Sequence, residues 1–389
     1  MAKQAKRKNA SKTQDGGDTK SHTRIEPELR IVEWRNEWIV KGAFPFCYQA
    51  PDGMLRELRQ RYNLDGIIAP ASTEIQQMMR LREWVHTRWK HGWNHKTECK
   101  NALEILEAAE KGADFNCAYF ATTLMQCLLA LGFVARTVGA SKTASEWTAE
   151  DEGNTGHSLT EVWSHQFHKW VLHDADMNVH YERDRIPLNA LEIHRAWVTR
   201  RWNEVTMVQG PTPYHVTESK KSGSAITFKN ADNEAAELWI FSQHNVGDYY
   251  AHVNYLLGND RHSSDELPPR IEWIDEWTPQ RLVRGNQVNA VSFTGNEHDV
   301  NWTVDQVQID LCCDPSAWEQ REAVLHVKLE HSMPNLDRRL VRIDDEPWRQ
   351  TESEFTWRLR PGKNQIMAKG INSFGREGHI SRILLRFNP

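Results

Sequence analysis

The chain has 389 residues, 48 Lys and Arg against 53 Asp and Glu, and a formal net charge of −5. That balance excludes any general attraction to nucleic acid, and a chain of this length is too long for one ordinary core, so two or three domains are expected. No apolar run reaches membrane-spanning length, the start lacks the apolar stretch of a secretory signal, and six cysteines without paired spacing fit a reducing, cytoplasmic compartment.

Residues 1–24 carry Lys3, Lys6, Arg7, Lys8, Lys12 and Lys20 against Asp15 and Asp18. Such a basic tail cannot bury enough apolar surface to fold, and a disordered arm is expected. A mixed lead-in over 25–63 holds short strand-like pieces such as Glu37-Trp38-Ile39-Val40. Thr73 opens a helix with Gln76 three residues on, a capping-box spacing. Its apolar stripe is Met78, Leu81, Val85 and Trp89. A second helix spans 101–111 and ends at Gly112. The third begins at or near Cys117, capped by Asp114 or Asn116. Phe120, Leu124, Leu128 and Leu131 recur along it at about four-residue spacing, and Gly132 stands where a C′ glycine ends a helix.

Strands follow, from Phe133 to about Tyr181. His157 begins one of them, through Trp163. Lys169-Trp170-Val171-Leu172-His173-Asp174 forms the next, after a turn-like connection at 164–168. Antiparallel pairing brings His157 beside Asp174. The stretch 188–209, with Trp197 and Trp202, reads as helical before leaving the core. Between 210 and 287 the pattern is mixed: 225–228 and 238–241 look like strands and 262–269 like loop. A lid or a second β-rich unit fits it. From 288 onward short alternating strands recur, at 302–309, 323–329, 339–343, 355–359, 364–368 and 380–387, which reads as a β-sandwich.

The chemistry gathers around Cys117. A thiol in the first turn of a helix feels unpaired N–H groups and the positive end of the dipole, which favours the reactive thiolate. His157 can act as its base and Asp174 can orient the imidazole. Cys127, in the same helix, reads as an inert small hydrophobe. Cys47, Cys99, Cys312 and Cys313 have no such context. The histidines between 157 and 194 lack zinc spacing, no Asp-x-Asp-x-Asp calcium loop occurs, and phosphate-binding glycine loops are missing. No cofactor and no metal are therefore expected. The 17 tryptophans suit cores with polar rims. Trp147, Trp163 and Trp170 are the ones nearest the chemistry, and a cleft role for them is the alternative.

From 72 to 176 these pieces resemble the transglutaminase-like family: the helix-start Cys117, then Leu131-Gly132-Phe133-Val134-Ala135-Arg136, then His157 to Trp163, then Trp170 to Asp174. Two departures stand out. Asn116 replaces a glycine, and Ala175-Asp176-Met177-Asn178 replaces a proline turn. Asp176 thus becomes a rival to Asp174, and the spacing from Trp170 favours Asp174. The resemblance implies an α+β fold, a papain-like core of helices packed on an antiparallel sheet, over 25–209. It also implies acyl transfer through a thioester, with Cys117 as nucleophile, His157 as base and Asp174 as orienting carboxylate. The Cys117 N–H and an indole from Trp84, Trp89 or Trp93 would hold the oxyanion.

Hydrolysis of a peptide or protein amide is the expected outcome. Protein crosslinking, an arylamine acetyltransferase-like reaction and a non-catalytic scaffold with a Trp-rich surface are the alternatives. Residues 288–389 resemble a fibronectin type III-like domain through Leu359-Arg360-Pro361-Gly362-Lys363-Asn364 and Asn372-Ser373-Phe374-Gly375. Such a module docks protein or carbohydrate, or acts as a spacer.

Overall fold

The computed structural model describes residues 28–95, 98–141, 156–201, 204–210, 214–218, 225–230, 235–239, 250–261, 268–278, 290–313 and 323–389. The basic tail over 1–24, Trp147 and Trp202 lie outside them, as does most of the expected loop at 262–269.

Polar caps start the helices. Asp52 caps α1 (Gly53–Arg61), accepting from the Leu55 N–H. A short α2 (Leu64–Ile68) leads to α3 (Glu74–His86), whose cap is Thr73. The expected capping box is half realised: the Gln76 amide oxygen accepts from the Ser72 N–H at 3.0 Å and not from that of Thr73. Met78, Leu81 and Val85 are buried as the stripe requires, whereas Trp89 lies past the helix end and packs on Phe115 and Phe120. Asn101 caps α4 (Ala102–Glu110). Asn116, not Asp114, caps α5 (Cys117–Ala130), accepting from the Ala118 N–H. Helix α6 (Ala190–Val198) starts on a complete Asn189–Glu192 capping box.

Helices α1 to α5 share one apolar core. Behind α5 lies a six-stranded sheet. Its order is 290–294, 270–273, 252–256, β2 (Ala135–Ser141), β3 (Gly156–Ser164) and β4 (Lys169–His173). All neighbours pair antiparallel except 270–273 with 290–294. The Thr160 hydroxyl ties sheet to helix, donating to the Ala121 carbonyl at 3.0 Å. Facing residues Arg136 and Glu161 of β2 and β3 form a wholly buried ion pair. The Arg136 guanidinium lies 4.1 Å from the Trp170 ring and 4.6 Å from that of Trp302. Trp163 and Trp170 are therefore core residues, packed with Trp302 and Val304.

The region 210–287 contributes strands to this sheet. Its strand His252–Leu256 pairs with β2 and extends the sheet. The reason is patterning: Val253 and Tyr255 are fully buried against the sheet core. Tyr214–Glu218, Ala225–Asn230 and Ala235–Trp239 form a separate three-stranded sheet.

At the C-terminal end two antiparallel sheets share a core that includes Ile309, Val327, Val341, Trp357, Ile366 and Ile383. The strand β1 (Glu28–Arg35), grouped by sequence position with 25–209, pairs instead with Ser381–Asn388 in this part of the molecule, Leu29 facing Phe387. Sequence order gave no sign of this, because a pairing across the whole chain leaves no local pattern. Among the described residues no helix is long and apolar enough to cross a membrane.

Candidate active site

Cys117 is the first residue of α5, half-buried, with the helix amides behind it. His157 is the second residue of β3. Asp174 follows β4 directly and closes a tight turn: its N–H and carbonyl each bond to Val179 at 2.9 Å. Within that turn the Met177 N–H donates to Asp174 Oδ1 at 3.0 Å. The turn that replaces the proline motif thus fixes the Asp174 carboxylate by its own backbone.

The structure brings the three sequence-predicted residues together. His157 Nε2 and Asp174 Oδ2 are 2.7 Å apart, and the Cys117 side chain hydrogen bonds the same imidazole. His157 is buried, which disfavours its charge. The Asp174 carboxylate and the Cys117 sulfur outweigh that burial and hold the imidazolium well above the ordinary histidine range. Asp174 answers in the opposite sense: burial opposes its charge, and His157, the Met177 N–H and Arg82 together keep its carboxyl below the usual value. The pair is a buried imidazolium–carboxylate.

Two residues near this pair escaped the sequence reading. Arg82, on α3, is fully buried, and burial lowers its guanidinium to about 9. It donates to Asn178 Oδ1 at 3.1 Å, the Gly210 carbonyl at 3.0 Å, and ring nitrogens of His180 at 2.8 Å and His173 at 3.3 Å. Burial first, then Arg82, holds both imidazoles well below the ordinary range, so they accept as neutral rings. A charged residue inside an apolar helix stripe was the available signal. The second is His91, whose Nδ1 lies 2.7 Å from Asp176 Oδ2. Asp176 itself does not contact His157 in place of Asp174. It nevertheless has an oxygen within 4.8 Å of Cys117 Sγ and of a His157 ring nitrogen.

Of the three indoles, Trp93 is 67% exposed. Trp84 is covered by the Arg88 guanidinium at 4.8 Å. Trp89 is buried, its ring 4.4 Å from Phe120, and its Nε1 has no partner among the described residues. A cavity of about 220 Å³ is lined by Asn116, Ala118, Tyr119, Thr137, Ser158 and Arg261, among others, and by neither Cys117 nor His157.

Residues 63–175 match the model of the transglutaminase-like superfamily core. That span holds Cys117, His157 and Asp174, and the transglutaminase-like domain so defined contains α2 to α5 and β2 to β4. No curated protein matches the chain. A solved structure, that of red sea bream transglutaminase, aligns over 86% of this chain and 72% of its own, with 10% identity and a TM-score of 0.25. That likeness is too distant to assign any residue.

Proposed function

We propose that the chain is a cysteine-nucleophile hydrolase of peptide or protein amides, with a papain-like core. The single observation that carries this reading is the 2.7 Å bond between His157 Nε2 and Asp174 Oδ2, with the Cys117 sulfur on the same imidazole at a helix start. The Cys117 thiolate attacks the amide carbonyl carbon, and the oxyanion sits on the Cys117 N–H at the α5 N-terminus. Trp89 is our choice for the second donor, because its buried N–H is unpaired and such a group is costly unless a partner arrives. His157 gives its proton to the departing amine, leaving an acyl thioester. Water then attacks the thioester carbonyl, His157 takes its proton and returns it to sulfur, and the carboxylic acid leaves. Asp174 keeps the ring oriented and its cation stable throughout. The two C-terminal sheets fit a fibronectin type III-like sandwich that docks protein or carbohydrate, and the protein acts in the cytoplasm.

Two measurements test the reading. Iodoacetamide at mildly acidic pH should label Cys117 and spare Cys127, which is fully buried with its thiol pushed far up by burial. Mass spectrometry of a peptide library should show cleavage that is lost in Cys117→Ala and reduced by about 10²–10⁴ in His157→Ala. Equal cleavage by Cys117→Ala would refute the proposal, and amine-linked products in place of cleavage would redirect it to crosslinking.

A further inference from the structure

Asp176 has no part in the reaction just described, yet its side chain is only 1% exposed. One oxygen, Oδ2, is held by His91. The other, Oδ1, is buried without a partner among the described residues. A buried carboxylate oxygen left unpaired is costly unless a positive group meets it. Cys117 Sγ, a His157 ring nitrogen and an Asp176 oxygen all lie within 4.8 Å of one another. Sulfur, imidazole nitrogen and carboxylate oxygen are the donor set of a borderline-soft divalent ion.

We propose that Cys117, His157 and Asp176 form a binding site for a zinc-class divalent ion, and that its occupancy inhibits the protein by engaging the sulfur. The inhibition rests on the cysteine chemistry proposed above; the binding does not. Zinc ligands at about 2.0–2.3 Å stand roughly 3.3–3.8 Å apart around a tetrahedron. Closing the present set from within 4.8 Å therefore asks for side-chain shifts of about 1 Å. The supporting bonds already exist. Asp174 holds His157 Nε2, the ion would take the place of the proton that His157 shares with Cys117, and His91 orients Asp176. Ligating histidines and carboxylates carry outer partners of this kind. Water completes the fourth position. The sequence shows no zinc spacing because the donors come from a helix start, a strand start and a turn.

Cobalt(II) added to the 389-residue chain is the probe, because a cobalt–thiolate bond absorbs in the near ultraviolet and zinc displaces it. The expected result is a zinc-competed band in the wild type that is missing in Cys117→Ala. Asp176→Asn, which keeps the shape and the contact with His91, should weaken zinc binding by about tenfold or more. A band that persists in Cys117→Ala, or zinc affinity in Asp176→Asn equal to wild type, overturns the site. Peptide cleavage by Cys117 with no cobalt band also overturns it and leaves the proposed reaction standing, whereas failure of that reaction is read from cleavage that persists in Cys117→Ala.

Discussion

Arg82 shows how one side chain can hold a site it does not touch. Its guanidinium is buried beneath the 174–179 turn and gives hydrogen bonds to His173, Asn178, His180 and Gly210. Its positive charge also favours the Asp174 carboxylate. Removing it strands several buried acceptors at once and leaves Asp174 with one cation fewer. Arg82→Met should therefore cost about 3–5 kcal/mol, the range for breaking a buried charged network, measured by urea unfolding. A midpoint within error of wild type would mean that water replaces the guanidinium. The choice between Asp174 and Asp176 belongs to the same scale. Spacing from Trp170 already favoured Asp174, and the turn geometry supplies the reason: the chain reverses at 174, so Asp176 points to His91 and not along the strand.

At the scale of elements, α5 matters most, because it aims Cys117 from one end and meets the C-terminal sheets at the other. Its start was legible as a polar residue before a cysteine and an apolar run, and its end as Gly132. The structure adds why that glycine cannot change. Gly132 has φ +82°, and a Cβ there would come within 2.9 Å of Arg376 Cβ and 3.0 Å of Phe374 Cβ. Its carbonyl also accepts from Asn372 Nδ2 at 3.0 Å. Gly132→Ala combines left-handed strain with a backbone-close clash and should lower stability by more than about 1 kcal/mol. Asn116→Ala, at the opposite end, loses one cap bond and should cost about 1 kcal/mol. Denaturant midpoints of the two variants give the comparison, and the glycine change should be the larger. The β3–β4 hairpin was equally legible, since its strands and its 164–168 turn are local in sequence. The outer strands of the same sheet were not, because 252–256 and 270–273 join across long gaps and carry no mark of their partners.

Across the whole molecule, a polar cluster staples the transglutaminase-like domain to the C-terminal part. His165 Nδ1 is 2.9 Å from Glu74 and its Nε2 is 3.2 Å from Asp305, while Arg376 reaches Glu74 at 2.8 Å. Burial opposes the His165 charge, and Asp305 and Glu74 overcome it, raising His165 from 6.5 to about 9. Glu74 moves the other way, from 4.5 to about 2, with burial outweighed by His165 and Arg376. His165 has the raised value in the folded state, so its stabilisation is complete below about pH 6.5 and is lost as pH rises through about 9. Glu74 has the depressed value, so its share is complete above about pH 4.5 and is lost as pH falls towards 2. Both shifts describe one ion pair from its two ends and are not summed. Folding free energy should fall between about pH 6 and 9.5 by up to about 3 kcal/mol, and His165→Gln should flatten that slope. An identical slope in the variant would remove the staple from the account.

The helix that starts at Cys117 and the hairpin that carries His157 and Asp174 could both be read from the chain alone. Each depends on short-range rules of capping, periodicity and turn chemistry. Only the folded molecule decided that β1 pairs with the last strand, that Trp163 and Trp170 fill a core around Arg136, and that Arg82, His91 and Asp176 surround the site. Those outcomes come from contacts between residues far apart in sequence. Burial and charge pairing act on distance in space, and a linear pattern does not record that distance.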